Sequence, residues 1–309
     1  MTEAAEMAGE RLFTEFLDPV DMTGVFPAEM ILEEINRVAG EAGLRFPLVC
    51  AMGATLPEHV RVVDHAPASS RFGPYVDNVL GMNWKLPSGR MARIGERVVK
   101  TTTGYDLMRF LLHTGADLGR PTHFVLRLRP LGGATLMGEF TGDDEALRAV
   151  EATLREDSWN HWIDRIDLLV GWSEAARLQV AVDCMRGESE RFEAYFGQVA
   201  ERAEAAFAKV PSLAESELPH FSVKGLPGEA ARTARRCVEA LGGHARALLL
   251  TGSVHVYPDK EAKTDWIQTL EEELGAIGGH LLGNVPGMRA GGDEETQWIQ
   301  QMEEEWKRL

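Results

Sequence analysis

The segment from Lys100 to Asp106 (KTTTGYD) combines residue types that could contact a phosphate-bearing ligand. A lysine can neutralise a phosphate, a glycine permits close approach of the backbone, and a tyrosine offers a ring edge and a hydroxyl. Each position also has a structural interpretation. Lys100 could be an exposed lysine at a strand end, and Gly104 with Tyr105 a turn and a core residue. Asp106 could be the N-cap of the helix that follows.

Three other side chains are candidates for ligand chemistry. Arg71, in the stretch SSRFG, could contact an anion in this acidic protein, and its alternative interpretation is a surface arginine. His255 alternates with Val254 and Val256, so it lies on the opposite face of a predicted strand. There it could serve as a base or be an ordinary half-buried residue, and His280 has the same two interpretations.

The cysteines and histidines give no metal pattern. Cys50, Cys184 and Cys237 are far apart and have no histidine at metal spacing. We expect buried thiols in a reducing compartment. The nine histidines form no HExxH or HxH motif, so the sequence predicts no metal site.

The elements around KTTTGYD follow from the hydrophobic periodicity. A hairpin is predicted from residues 79–86 and 91–94, a helix after Asp106, and a strand over residues 122–129. Upstream, the spacing of apolar residues predicts a helix from Ala28 to Ala39. The proline-rich residues 44–76 predict irregular backbone over a surface or around a ligand.

Composition excludes several classes of protein. A chain of 309 residues favours two domains. It carries 32 basic and 48 acidic residues, a net charge of −16, which makes nucleic acid and anionic lipid unlikely partners. No apolar run approaches the length of about 20 residues that a membrane span needs. We therefore expect a cytoplasmic protein without a membrane span.

A change of pattern at Pro130, Gly132 and Gly133 predicts a domain boundary, with domains at 1–131 and 132–309. Beyond it, strands are predicted at 134–140, 166–170, 178–182, 247–257 and near 281, and helices at 143–156, 192–207, up to 241, 263–274 and 294–308, with a loop over 211–228. No short-period repeat is evident. This order predicts an α+β domain of ferredoxin-like type.

Several stretches together carry a family resemblance. Residues 99–107 (VKTTTGYDL), the pair Leu118 and Gly119, and the strand ending LRLRP at Pro130 resemble the second half of the flavin-binding domain of FAD-linked oxidases. The class is that of vanillyl-alcohol oxidase, and within it these residues resemble the FAD-binding subunit of glycolate oxidase. Residues 31–47, 70–81 and 278–280 resemble further segments of that family, in the same order.

The resemblance implies a partial FAD-binding (PCMH-type) domain followed by a ferredoxin-like cap domain. It implies FAD as the cofactor and a role as a subunit of an FAD-dependent 2-hydroxy-acid oxidoreductase acting on a small organic acid. The implied cofactor contacts are Arg71, Gly73, Lys100, Gly104, Tyr105, Asp106 and Gly119. No residue is identified as the catalytic base.

Two alternatives remain open because nothing before Pro19 resembles the glycine-rich subdomain with which the family holds the FAD pyrophosphate. We therefore expect a truncated FAD-binding-type domain. The chain could then be a flavin-free assembly subunit, or half of a composite flavin site that another chain completes. Either case implies a partner subunit or a homo-oligomer. The group Trp159, Trp162 and Trp172 could line a pocket or a subunit contact.

Overall fold

The computed structural model describes residues 12–97, 107–114, 118–132, 134–157, 162–171, 173, 175–184, 187–210, 217–260, 264–276 and 279–283. Lys100, Gly104, Tyr105, Asp106 and the predicted C-terminal helix lie outside these residues. The described helices are α1 (Leu32–Gly40), α2 (Leu56–Val62), α3 (Ser69–Phe72), α4 (Leu107–Thr114), α5 (Asp144–Glu156), α6 (Ser189–Arg202), α7 (Ala230–Leu241) and α8 (Thr264–Ala276). The described strands are β1 (Phe16–Asp18), β2 (Thr23–Pro27), β3 (Leu44–Arg45), β4 (Val79–Lys85), β5 (Met91–Gly95), β6 (Arg120–Arg127), β7 (Arg129–Pro130), β8 (Ala134–Thr141), β9 (Ile163–Val170), β10 (Arg177–Cys184), β11 (Ala206–Lys209), β12 (Phe221–Lys224), β13 (His244–Leu248), β14 (Ser253–Tyr257) and β15 (His280–Gly283).

The first part of the chain forms an antiparallel sheet of order β1-β2-β6-β4-β5, beside a small β3-β7 pair. The predicted hairpin is confirmed as β4 and β5. Six of the seven residues of β4 are buried, because the strand lies inside the sheet and packs under the first lobe's helices. We call residues 12–130 the first lobe.

Two helices of the first lobe differ from the sequence prediction. Helix α1 begins at Leu32 instead of Ala28, because the Ala28 N–H donates to the Thr122 carbonyl and Ile31 forms a bridge with Thr55. Helix α2 lies in the segment predicted as irregular. Its capping box joins Thr55 and Glu58, whose Oε2 accepts from the Thr55 N–H at 2.7 Å. The TxxE signal for this box was present in the sequence.

The second lobe, residues 134–283, is built on an eight-stranded sheet of order β11-β8-β10-β9-β13-β14-β12-β15. The chain order β8-α5-β9-β10-α6-β11 is repeated by β12-α7-β13-β14-α8-β15. Each half has β-α-β-β-α-β connectivity, and the halves join where β9 pairs with β13. The sequence pattern did not reveal this duplication.

Three predicted elements of the second lobe are corrected. The strand predicted over 247–257 is two strands, β13 and β14, joined by a turn in which Gly252 has a φ of +81°. Phe207 belongs to β11 and not to a helix, since α6 ends at Arg202. Strand β12 lies within the predicted loop 211–228. The apolar runs in these segments are short and lie beside turns, so the sequence pattern could not distinguish a strand from a loop or a helix.

The two faces of the second-lobe sheet have different chemistry. Helices α5 to α8 cover one face, which supplies the main apolar core with residues such as Ile166, Val180 and Val254. The other face turns toward the first lobe and carries buried polar side chains, namely Asp164, Arg165, Asp167, Gln179, Ser222, Arg246, Ser253 and His255. Buried charges of this kind are rare and are normally paired.

The predicted domain boundary falls between β7 and β8, and the division into two domains stays a prediction. Mixed α and β content is present in both lobes. Among the helices that the structure describes, none combines the length and apolar character that crossing a membrane requires.

Candidate functional site at the boundary of the lobes

Arg71 joins the two lobes. Its Nη1 atom lies 2.7 Å from Asp164 Oδ1 and 3.8 Å from Asp183 Oδ2, both in the second lobe. Ser70, its neighbour on α3, donates to the Asp164 carbonyl. The anions that Arg71 contacts in this structure are thus carboxylates of the same chain, and its contact with a cofactor stays a prediction.

Gly73 and Gly119 both have backbone conformations that favour glycine. Gly73 has a φ of +79°, and a Cβ there would lie 3.2 Å from Asp77 Oδ2. Gly119 has a φ of +122°, and its Cβ would lie 2.3 Å from the Lys85 carbonyl and 2.6 Å from Trp84 Nε1. Local packing is sufficient reason for both glycines, so their cofactor contacts also stay predictions.

Two aspartates of the second lobe, Asp164 and Asp183, form ion pairs with arginines of the first lobe. Arg45 forms an ion pair with Asp183, and the Asp183 N–H donates to Asp164 Oδ2 at 2.7 Å. Burial raises the pKa of Asp164, and the contact with Arg71 only partly opposes this rise. The lobes are therefore held together by charged groups that are partly removed from water.

Deeper in the boundary, Arg165 and Arg246 both contact the carboxylate of Asp167. Arg165 Nε forms an ion pair with Asp167 Oδ2, and Arg246 Nε lies 3.9 Å from the same oxygen. All three residues are buried, and Asp167 is 1% exposed. Burial raises the pKa of Asp167 against the effect of both guanidiniums. Strands β9 and β13 position these side chains, which alternate with core residues.

His255 is the register partner of Arg246 and is fully buried. Its Nε2 donates to the His65 carbonyl at 2.9 Å, so its Nδ1 accepts from the Cys50 thiol at 3.6 Å. Burial, and then the positive charge of Arg246, lower the pKa of His255 to about 3. The ring is therefore neutral, and this geometry favours the strand-residue interpretation over the base.

The side chain of His65 contacts a second-lobe lysine. Lys224 Nζ lies 3.5 Å from His65 Nε2 and donates to the Thr251 carbonyl. On the other side of the ring, Asp64 Oδ2 lies 3.0 Å from His65 Nδ1. Burial lowers the pKa of Lys224, and the charge of Asp64 opposes this only in part.

Ser253 lies next to this cluster. It is the register partner of Lys224, so both side chains are on the sheet face that turns to the first lobe. Ser253 is 3% exposed, and its hydroxyl has no hydrogen-bond partner among the described residues. A buried hydroxyl in that condition can bind a polar group of a ligand.

Some residues of this site stand out in the sequence. Arg165, Asp167 and Arg246 interrupt apolar strands, which is a sign of buried charge that the periodicity alone did not assign. His65 and Lys224 are separated by 159 residues, so only the tertiary structure brings them together. His280 lies exposed on the edge strand β15, opposite Lys224. Within the described ranges, no three metal-ligating side chains form a cluster that could hold a metal ion.

Comparison with known proteins gives a consistent group of relatives, although no family model matches the chain. An uncharacterized FAD-linked oxidoreductase of Mycobacterium tuberculosis is 24% identical over 141 residues, which is 45% of this chain and 31% of that protein. The mitochondrial D-lactate dehydrogenase [cytochrome] of Arabidopsis thaliana is 32% identical over 98 residues, covering 32% and 17%. D-2-hydroxyglutarate dehydrogenase of Xanthomonas citri is 26% identical over 160 residues, covering 47% and 32%. The chain is similar to FAD-linked oxidoreductases.

The fold agrees with that similarity. A solved alkyldihydroxyacetonephosphate synthase matches 96% of this chain and 63% of its own with a TM-score of 0.60, at 10% identity. A second crystal form of that enzyme gives a TM-score of 0.59. Sequence matches to the curated relatives span about a third of their length or less.

Proposed function

We propose that this chain forms part of an FAD-dependent oxidoreductase that oxidises a small 2-hydroxy acid. The observation that carries the proposal is the sequence similarity to FAD-linked oxidoreductases, of which two are named for the D-2-hydroxy acids lactate and 2-hydroxyglutarate. Glycolate, the smallest acid of this class, is included as a substrate because the sequence resembles a glycolate oxidase subunit.

The charges at the lobe boundary fit both a flavin ring and an anionic substrate. Burial, and after it the positive charges of Arg246 and Arg165, lower the pKa of His255, which supports a net positive charge at this site. A positive field in a buried site stabilises a carboxylate or the anionic ring of a reduced flavin. When bound, the flavin would accept the α-hydrogen of the acid as a hydride. We propose that Lys100, Gly104, Tyr105 and Asp106, with Arg71, Gly73 and Gly119, hold the cofactor.

The chain's own residues then have separate tasks. Arg165 and Arg246 would bind and orient the carboxylate by charge-assisted hydrogen bonds, which a planar guanidinium can make in pairs. Asp167 holds the Arg165 guanidinium by an ion pair and attracts that of Arg246 from 3.9 Å. His255 stays neutral and, through the His65 carbonyl and the Cys50 thiol, holds the first lobe against the sheet. Burial of these groups excludes water from the reacting carbon.

A composite flavin site completed by another chain is the second candidate. Arg71, Gly73 and Gly119 have contacts within the chain that already explain these residues. This observation favours a site in which another chain supplies further cofactor contacts. A flavin-free assembly subunit would have the same contacts. In both cases the protein partner is a further subunit or a second copy of the chain.

Visible absorption tests these proposals directly. The protein would be purified after expression alone, and after co-expression with the products of the neighbouring genes, and its flavin absorption measured. Under anaerobic conditions, D-lactate, D-2-hydroxyglutarate and glycolate would be added, and bleaching of the flavin band measured. L-Lactate and L-2-hydroxyglutarate are the controls for the two chiral acids.

Yellow protein that a 2-hydroxy acid bleaches supports the proposed oxidation. Flavin bound only after co-expression supports the composite site. Colourless protein under every condition overturns both and leaves the assembly subunit. An Arg246→Met variant that retains flavin should lose bleaching by these acids, since the carboxylate loses its ligand.

A further inference from the structure

A proton has to leave the hydroxyl of a 2-hydroxy acid when it becomes a 2-oxo acid. His255 cannot receive it at neutral pH, because both ring nitrogens already have partners and the pKa of the ring is lowered to about 3. Arginine is no acceptor either, since its guanidinium keeps its proton. Among the described side chains, the Asp167 carboxylate is already paired with Arg165, and the Cys50 thiol with His255. The next titratable group described on this face is the cluster of Asp64, His65 and Lys224.

The tautomer of His65 follows from its neighbours. The Asp64 carboxylate lies 3.0 Å from Nδ1 without the alignment of a hydrogen bond, and its negative charge favours the proton on that nitrogen. Nε2 then carries the lone pair and can accept from Lys224 Nζ, 3.5 Å away. The three side chains form a chain of proton carriers from the sheet to the edge of the boundary, where the side chain of Asp64 is 17% exposed.

Lys224 lies on the same face of the sheet as the charged site. Ser222, two residues earlier on β12, is the register partner of His255, which in turn pairs with Arg246. Neighbouring strands are about 4.8 Å apart, so Lys224 and Arg246 extend from strands about 10 Å apart on the same face. His65 connects both ends, since its carbonyl accepts from His255 and its ring contacts Lys224. The Ser253 hydroxyl, which is opposite Lys224, offers a further hydrogen bond to a ligand oxygen.

Polar groups from both lobes surround Lys224. Asp64 and His65 face it from the first lobe, and the Thr251 carbonyl accepts from its ammonium. His280 is its register partner on β15. Burial favours the neutral amine, and Asp64 favours the ammonium to a smaller extent, so the amine can accept a proton more readily than a solvated lysine when burial dominates.

We infer that Lys224 receives the proton of the substrate hydroxyl, and that His65 with Asp64 returns this proton to solvent. The inference rests on the proposed function. In the oxidation, the hydroxyl proton would pass to the Lys224 amine as the carbon–oxygen double bond forms, and the α-hydrogen would leave with its electron pair to a bound oxidised flavin. The ammonium then gives a proton to Nε2 of His65, and the proton on Nδ1 leaves toward Asp64 and water.

The first arm of the test needs no activity. Reductive methylation with ¹³C-formaldehyde labels the seven lysines of the chain, and a Lys224→Met variant assigns the signal of Lys224. We expect this signal to titrate below 10.5, the ordinary value, and lower still in Asp64→Asn, which loses the opposing negative charge. In ¹⁵N spectra, His65 should carry its proton on Nδ1 and lose that preference in Asp64→Asn.

The second arm uses anaerobic flavin bleaching by the acid. Lys224→Ala should slow bleaching about 10²- to 10⁴-fold, the usual effect of losing a general base. Added methylamine should restore part of the rate by replacing the missing amine. Asp64→Asn should move the acidic limb of the pH profile downward. Lys209→Ala, which removes an exposed lysine paired with Glu193, is the matched control and should bleach at the wild-type rate.

The outcomes distinguish a failure of the proposed function from a failure of the role inferred for Lys224. Wild-type protein that binds flavin but oxidises no 2-hydroxy acid overturns the proposed function, and with it the substrate role of Lys224. Active wild type with an ordinary Lys224 titration, or a Lys224→Ala variant that amines do not rescue, overturns the inference alone. A lowered titration, amine rescue and a shifted acidic limb together support it.

Discussion

His255 shows how a single side chain connects the lobes. A neutral ring has one donor and one acceptor, and here the donor is used on His65 and the acceptor on Cys50. Protonation would place a second donor against the thiol and a positive charge beside Arg246. The ring therefore resists protonation in the folded protein, whereas in the unfolded chain it titrates at its ordinary value.

This difference predicts a pH-dependent stability. The folded pKa of His255 is about 3 and the ordinary value is 6.5, so on acidification the unfolded state takes up the proton first and unfolding is favoured. Between pH 7 and pH 5 this linkage should cost about 2 kcal/mol of unfolding free energy. Urea denaturation should show a larger loss in wild type than in His255→Asn, by about 2 kcal/mol, since His59 and His244 have lowered pKa values in both proteins. An equal loss in both proteins would contradict the assigned burial.

Asp167 provides a second residue-scale prediction. Asp167→Asn leaves the guanidiniums of Arg165 and Arg246 buried without the carboxylate that they share. Breaking one partner of a buried ion pair typically costs about 3–5 kcal/mol of unfolding free energy, measurable by urea titration. Glu193→Gln, which breaks an exposed pair with Lys209, is the control and should cost less than about 1 kcal/mol. Similar losses for both variants would argue against a buried cluster.

At the scale of elements, the duplicated β-α-β-β-α-β unit explains where the polar residues meet. The two halves join through β9 and β13, so Asp167 from the first half and Arg246 from the second lie on adjacent strands. Helices cover the apolar face of both halves. The opposite face of the sheet is thus continuous across the two halves, and each half contributes charged side chains to it.

Glycine positions give a prediction about individual elements. In Gly119→Ala the new methyl group would contact the Lys85 carbonyl at a backbone φ that side chains rarely adopt, so unfolding free energy should fall by about 2 kcal/mol or more. Gly197 lies in α6 with open space around its Cβ position. Gly197→Ala should raise stability by about 0.5–1 kcal/mol, because alanine is the better helix former. Thermal unfolding of both variants measures the contrast, and a stabilised Gly119→Ala would contradict the packing.

At the scale of the whole molecule, the ion pairs between lobes should couple their unfolding. Arg45 and Arg71 contact Asp164 and Asp183 across the boundary. In an Arg45→Met, Arg71→Met double variant, the two aspartates lose their guanidinium partners and the lobes should separate more easily. For wild type we expect one transition in scanning calorimetry, and for the variant a broadened transition or two separate ones. A single sharp transition in the variant would show that the remaining contacts, such as those of His65 with His255 and Lys224, are sufficient to couple the lobes.

Elements with strong periodicity could be predicted from the sequence, and those set by tertiary contacts could not. The β4–β5 hairpin and helices α5 and α7 follow from apolar spacing and turn residues. The start of α1 depends on bonds from Ala28 and Ile31 to distant strands, which no local pattern records. The implied contacts at Lys100, Gly104, Tyr105 and Asp106 stay predictions.

The order of apolar and polar residues along the chain determined the alternation of strands and helices, because helix and strand periodicity depends on neighbours close in sequence. The order also indicated the similarity to FAD-linked oxidoreductases. Only the tertiary structure decided that Arg71 binds Asp164, that His255 binds Cys50 and that Lys224 meets His65. These pairs come from opposite lobes, and their energy depends on burial and distance, which exist only once the lobes have come together.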